Sequence, residues 1–264
     1  MSKRGLPSTI LGRGDRMPLA DTHSVRFHCA DYSLVGIYYT AATSSPAPFA
    51  LLLHGLPGAE KNHDLAQFLR SKGWHALVLH FAGTWGSGGL FSFEGQIADT
   101  CAALDFALSP DAPVSIDPQK VVVIGYSMGS RAALFATAQD SRIQRVVSIA
   151  GFSDFTESML SREFLDAAAP FLLGVTPSTL GIQFLGLGEG PQPTDAVRQI
   201  APRSVLIIHS PEDEMVPFYH ADNFSAVSSG HVVRATIQGA SHIYAQHRSE
   251  LIEVVWEFLK DWST

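Results

Sequence analysis

Val121-Val122-Val123-Ile124-Gly125-Tyr126-Ser127-Met128-Gly129-Ser130 is the stretch around which the chain is organised. Four apolar β-formers in a row read as a short strand buried on both faces. Gly-Tyr-Ser-Met-Gly follows, a G-x-S-x-G match, and Arg131 to Ala136 is a good helix former. Strand, sharp turn and helix together are the context of a nucleophile elbow, in which a strained turn lifts the serine hydroxyl out of the sheet. Gly125 and Gly129 remove side chains where helix and strand must approach closely. Outside that context the same five residues would be an ordinary glycine-bracketed serine in a βα turn.

Outward from this stretch, apolar runs and helical patterns alternate. Ser24 to Ala30 and Leu34 to Thr40 read as an antiparallel opening hairpin around Asp31-Tyr32-Ser33. Phe49 to Leu53, Trp74 to His80, Val146 to Ile149, Val205 to Ile208 and Val232 to Ile237 read as further strands. Helices are expected over Leu65 to Ser71, over Glu94 to Leu108 with Ile97, Cys101, Leu104 and Leu108 at core spacing, and over Leu251 to Trp262. This rhythm predicts an α/β fold: a mostly parallel eight-stranded sheet with helices on both faces. Gly151 to Pro202 breaks it, being too long for a loop and rich in Phe, Leu and Gly. The expected division is a leader over 1–22, a core over 23–150 and 203–264, and an inserted cap over 151–202.

The 264 residues suit one such domain, and a hydrophobic fraction of 46% supports a large core. A net charge of -7 argues against nucleic acid or an anionic membrane surface as partner. The two cysteines, Cys29 and Cys101, show no metal or redox spacing and are expected as reduced, buried thiols. The first twenty residues carry five charged side chains (Lys3, Arg4, Arg13, Asp15, Arg16) and no apolar core, unlike a secretory signal. No run approaches the ~18 apolar residues of a membrane span. The expected location is the cytoplasm.

A serine hydroxyl needs a base to take its proton and donors to hold the oxyanion that forms. The base is expected in the loop after the last strand, where Gln238-Gly239-Ala240-Ser241-His242 offers His242; His247 is its nearest rival. The orienting acid is expected after the strand that follows the cap, in His209-Ser210-Pro211-Glu212-Asp213-Glu214-Met215-Val216-Pro217. Asp213 is preferred there, with Glu212 and Glu214 read as a solvated acidic turn. The backbone N–H groups of Met128 and Leu56 are the expected oxyanion donors, since Pro57 has none. His54 is expected to brace the 54–58 loop. His80 and His209 are expected at the cleft rim, and His220 and His231 on surface elements. Trp85, Phe171 and Phe184 are candidate substrate-binding residues; equally, Trp85 pins its own loop and the cap aromatics pack the cap's own core. No Arg or Lys cluster marks an anion clamp in the motif loops, so a neutral ester with an apolar or aromatic acyl group fits best.

On His54-Gly55-Leu56-Pro57-Gly58, Gly125-Tyr126-Ser127-Met128-Gly129, Asp213 with Val216-Pro217, Gly239-Ala240-Ser241-His242, and Phe81 to Ser87, residues 23–262 resemble the serine-dependent α/β hydrolases. They are similar in particular to capped feruloyl esterases and to dienelactone-hydrolase and prolyl-oligopeptidase-type enzymes. Relatives often carry an arginine where this chain has Ala82. The resemblance implies ester hydrolysis through an acyl-enzyme without metal, and no substrate on its own. A small-molecule ester as partner, no cofactor, and a monomer or homodimer are the expectations set beside it. A peptidase or amidase using the same groups, and a non-catalytic binding protein on the same scaffold, are the alternatives.

Overall fold

The computed structural model describes residues 19–44, 46–156 and 160–262. The leader expected over 1–22 lies outside the described residues as far as residue 18, and Asp21 and Thr22 already belong to the first strand. That strand, β1 (Asp21–Cys29), pairs antiparallel with β2 (Tyr32–Thr40), as the hairpin reading required. β3 (Ala47–Leu53), β4 (His75–His80), β5 (Ile116–Tyr126), β6 (Arg145–Ile149), β7 (Ser204–His209) and β8 (Val232–Thr236) complete an eight-stranded sheet in the order β1-β2-β4-β3-β5-β6-β7-β8. β2 meets β4 antiparallel, and every pair from β4 to β8 is parallel.

The apolar runs of β3, β4 and β5 follow from their being covered twice. One face of the sheet packs on α2 (Gly95–Ala107), α3 (Met128–Gln139), α6 (Pro193–Ile200) and α7 (Tyr219–Ala226), through residues such as Leu104, Ala132, Ala133, Val197 and Phe224. The other packs on α1 (His63–Ser71) and α8 (Arg248–Leu259), through Leu65, Leu69, Leu251, Val255 and Leu259. β3 runs to β4 on one side and β5 returns on the other, so the strand order reverses at β3. In open α/β sheets, ligands bind beyond the carboxyl ends of the strands at such a reversal.

α2 departs from the expected face. Its buried residues are Gln96, Asp99, Thr100, Ala103, Leu104 and Ala107, while Ile97, Cys101 and Leu108 are only partly covered. The reason is polar. Asp99 is fully buried and accepts from the Tyr32 hydroxyl at 2.7 Å and from the Ala82 N–H at 2.8 Å, which turns the helix about its axis. Cys29 is buried, Cys101 half-buried, and both are free thiols.

Between β6 and β7 the chain forms α4 (Arg162–Ala168), α5 (Pro177–Gly186) and then α6. Ser161 caps α4 by accepting from the Phe164 N–H, and Thr176 caps α5 reciprocally with Thr179, with Pro177 in the first turn. Phe155, Ala168, Leu172, Leu180, Phe184 and Leu187 pack here into a small apolar cluster with Phe91, Phe93, Met128, Phe152 and Val216. α6 behaves differently: Ala196, Val197 and Ile200 join the main core beside α3. The part of 151–202 that lies over the carboxyl ends of the strands is therefore α4 and α5. Among the described residues, no helix is long and apolar enough to cross a membrane.

Candidate active site

Ser127 sits between β5 and α3 with φ 53° and ψ -122°, a backbone conformation that costs an L-residue of order 1–3 kcal/mol. The surroundings hold it there. The Ser127 N–H donates to the Ile149 carbonyl at the end of β6 at 2.8 Å, and its own carbonyl accepts from the Ser130 N–H at 2.9 Å. A Cβ on Gly125 would run into the Gly129 carbonyl, and one on Gly129 would lie 2.5 Å from the His54 carbonyl oxygen. The two glycines are thus demanded by the close passage of α3 over β5 and β3, as the sequence pattern implied.

The Ser127 hydroxyl lies 3.1 Å from His242 Nε2, and His242 Nδ1 lies 2.8 and 3.0 Å from the two carboxylate oxygens of Asp213. An ionised carboxylate only accepts, so Nδ1 carries the imidazole proton and Nε2 presents a lone pair to the serine. All three residues are buried, the serine at 7% exposure. Burial by itself would raise the Asp213 pKa. Hydrogen bonds from His209, His242 and the Val216 N–H outweigh it and hold the carboxyl well below the usual carboxylate range. Oδ1 also accepts from the backbone N–H groups of Met215 at 2.9 Å and Val216 at 2.8 Å. Asp213 is therefore ionised and held at both oxygens.

The neighbouring acids are exposed, as a solvated turn requires, and each also carries a tie between loops. Glu214 accepts from the His242 backbone N–H at 2.9 Å, and Glu212 accepts from the Gly239 N–H at 2.7 Å. Both tie the loop after β7 to the loop after β8, which fixes His242 over Ser127. Tyr126 adds a third tie, its hydroxyl donating to the His242 carbonyl at 3.2 Å. His247 starts α8 and has no part in the relay.

The loop after β3 passes beside the serine. A Cβ on Gly55 would lie 2.8 Å from the Ser127 Cβ. His54 braces this loop: its Nδ1–H donates to the Gly55 carbonyl at 2.7 Å, and its Nε2 lies 3.4 Å from both the Phe81 N–H and the Thr84 hydroxyl. Burial pushes the His54 pKa down to about 3, so the ring is neutral in this setting. The Trp85 Nε1–H holds the same loop from outside by donating to the Pro57 carbonyl at 2.9 Å. Met128 opens α3, where first-turn N–H groups have no intrahelical carbonyl to bond. Leu56 and Met128 both line the cleft at Ser127.

That cleft is small, about 30 Å³, and is lined by Leu56, Ser127, Met128, Phe152, Leu160, Phe164, Met215, Val216 and His242. Leu160 and Phe164 come from the segment around α4 and form its roof.

A family model described as alpha/beta hydrolase fold matches residues 51–181. The chain superposes on Est1E from Butyrivibrio proteoclasticus, solved with ferulic acid bound, with a TM-score of 0.72 at 20% identity, covering 90% of this chain and 98% of that one. The chain has the alpha/beta hydrolase fold. An esterase of Pyrococcus furiosus superposes with a TM-score of 0.73 at 19% identity, covering 93% of this chain and 92% of its own. The quorum-quenching protein AidA of Acinetobacter baumannii is 30% identical over 142 residues, 51% of this chain and 46% of AidA. The chain spans about half the length of the curated relatives it matches.

Within this hydrolase fold the structure brings together Ser127, His242, Asp213, Leu56 and Met128. It does not bring Trp85, Phe171 or Phe184 to the cleft. Trp85 and Phe171 stack on each other at 5.7 Å on the outer surface, 41% and 54% exposed, and line a separate shallow hollow. Phe184 is buried behind the cleft wall, against Phe93, Phe152 and Phe155. The apolar residues that do face the serine are Phe152, Leu160, Phe164, Met215 and Val216, on three separate segments. His209 and His220 also differ from expectation. Both are fully buried, His209 behind Asp213 and His220 against Ser153. His231 is buried too, with Nε2 donating to the Val197 carbonyl at 2.9 Å. The residue just before the acid loop was the available signal for His209. Nothing in the local sequence marks His220.

Proposed function

We propose that this protein is a carboxylic-ester hydrolase that works through a Ser127–His242–Asp213 triad and an acyl-enzyme. The observation that carries this reading is the unbroken hydrogen-bonded line from the Ser127 hydroxyl through His242 to Asp213, at 3.1 and 2.8 Å. Its esterase neighbours in structure point the same way. In the reaction, Ser127 Oγ attacks the ester carbonyl carbon while His242 Nε2 takes its proton. Ionised Asp213 stabilises the imidazolium that results. The N–H groups of Leu56 and Met128 hold the developing oxyanion, each such donor contributing about 3 kcal/mol. The intermediate collapses as His242 returns the proton to the departing alkoxide, and water then hydrolyses the acyl-enzyme by the same steps.

The cleft lining carries no charge besides the relay, so the acyl group is neutral and apolar, of small to medium size, with feruloyl-type aromatic esters included. The likeness over half its length to a quorum-quenching protein adds quorum-sensing signal compounds to the candidate substrates. The test is a panel of p-nitrophenyl esters, methyl ferulate and aminoacyl anilides, run beside Ser127→Ala. Ester turnover lost in Ser127→Ala is expected. Anilide turnover without ester turnover, or full ester activity in Ser127→Ala, would overturn the reading.

A further inference from the structure

The donor at Leu56 is one half of a planar unit. Its N–H shares the Gly55–Leu56 peptide with the Gly55 carbonyl, and in a trans peptide the two point in opposite directions. Whatever holds the carbonyl therefore aims the N–H. The holder is His54, whose Nδ1–H donates to the Gly55 carbonyl at 2.7 Å. His54 does this only while its own ring is fixed. A Cβ on Gly58 would lie 2.8 Å from Nδ1, so backbone closes in on the ring there. Phe81 meets the ring edge-on at 4.9 Å, and the Phe81 N–H reaches Nε2 at 3.4 Å. Nε2 is a bare acceptor, because Nδ1 carries the proton.

Phe81 begins the loop after β4, so the ring of His54 depends on where that loop lies. The Phe81 carbonyl accepts the Thr84 hydroxyl at 2.7 Å and the Thr84 N–H at 3.1 Å, which closes a turn. The same peptide unit ends in the Ala82 N–H, which points the opposite way and donates to Asp99 Oδ2 on α2 at 2.8 Å. Asp99 is fully buried, and its Oδ1 accepts from the Tyr32 hydroxyl on β2 at 2.7 Å. Burial raises its pKa against the pull of both bonds, so the core keeps this carboxyl at a cost. An apolar residue at this position of α2 would avoid that cost. It would also leave the Ala82 N–H, on a buried residue, without its acceptor.

We propose that Asp99 is a positioning residue for the Leu56 N–H. It fixes the Phe81–Ala82 peptide, that peptide fixes the His54 ring, and the ring fixes the Gly55–Leu56 peptide beside Ser127. The three links measure 2.8, 3.4 and 2.7 Å. The long middle one is backed by the edge-on packing of Phe81 against the imidazole. Asp99 itself is no part of the cleft lining. Tyr32 holds the same carboxylate from the opposite branch, on the opening hairpin, and has no place in the line to Leu56. The inference rests on the esterase reading for its effect on turnover, while the aim of the Leu56 N–H does not.

Three variants test it. Asp99→Leu removes the acceptor for the Ala82 N–H. Asp99→Asn keeps an amide oxygen for it. Tyr32→Phe removes the other bond to the same carboxylate and leaves Ala82 held, so it reports what losing a buried hydrogen bond does to stability alone. Melting temperature should fall in both Asp99→Leu and Tyr32→Phe. In ¹H–¹⁵N correlation spectra recorded without substrate, the Leu56 amide signal should move in Asp99→Leu and stay in Tyr32→Phe. A Leu56 signal unmoved in Asp99→Leu would overturn the proposal whether or not the protein hydrolyses esters. Hydrogen exchange on the wild-type protein serves if Asp99→Leu does not fold: the Ala82 amide should be protected, and free exchange there would equally overturn the proposal. On p-nitrophenyl acetate, kcat should fall about tenfold in Asp99→Leu at constant KM, less than the ~10²- to 10³-fold of a whole oxyanion donor. The loss sits in kcat because the substrate carbonyl gains its charge only in the transition state. Asp99→Asn should regain most of it, and Tyr32→Phe should stay within about twofold of wild type. Equal losses in Asp99→Leu and Tyr32→Phe, or a change in KM alone, would overturn the proposal. Failure of the wild-type protein on every ester would instead count against the esterase reading alone.

Discussion

Replacing Asp213 with Asn separates charge from shape at the base of the relay. Oδ1 of Asp213 accepts the Met215 and Val216 N–H groups, and an amide oxygen in its place keeps both bonds. The amide nitrogen then takes the Oδ2 position, 2.8 Å from His242 Nδ1. Two donors cannot face each other there, so His242 must turn its lone pair to the amide and carry its proton on Nε2. An Nε2–H cannot accept from Ser127, 3.1 Å away, and the serine loses its base. The expected loss in kcat/KM is about 10³- to 10⁴-fold, or ~4–5.5 kcal/mol of transition-state stabilisation. Thermal stability should change little, because the backbone bonds persist. The assay is p-nitrophenyl acetate hydrolysis near neutral pH, with a melting curve on the same sample. An Asn variant keeping more than about a tenth of wild-type kcat/KM would refute the tautomer argument. So would an equal loss in a matching variant of Glu214.

Glu214→Ala should lower kcat/KM by about two- to tenfold, because it removes the acceptor for the His242 backbone N–H but not the relay itself; steady-state kinetics on the same ester checks this. Phe164→Ala should open the roof of the ~30 Å³ cleft and shift the acyl preference towards longer chains, read as relative kcat/KM on acetyl, butyryl and octanoyl esters. An unchanged ranking would mean that Phe164 does not limit the pocket. Burial lowers the pKa values of His54, His75 and His220 to about 3, 4 and 4, so each is a better base in the unfolded chain than in the native one. The stability they confer is complete above the unfolded value of ~6.5 and is lost as pH falls towards the folded values, by up to ~1.4 kcal/mol per pH unit for each ring. Urea midpoints should therefore drop steadily between pH ~6.5 and ~4. A flat midpoint over that range would contradict the neutral burial of these rings.

The sequence by itself determined the sheet, its strand order of appearance and the three residues of the relay. Each of those residues follows an apolar strand within a short local pattern: Ser127 between glycines, Asp213 before Val216-Pro217, His242 after Gly239. Strand ends in a parallel sheet converge on one edge, so local position along the chain translates directly into proximity in space. The tertiary structure alone decided the rest. Glu212 and Glu214 become ties to residues 27 and 28 positions away, and His220 becomes a buried base against Ser153, 67 positions away. Trp85 and Phe171 leave the cleft for each other's faces, while Phe152, Leu160, Phe164 and Met215 take their place. Periodicity reports which face of an element is apolar. It carries no information on which polar side chain finds a distant partner that lets it be buried, nor on which apolar side chains from separate segments meet around an opening. Those outcomes depend on how the segments pack, and only the folded chain contains that.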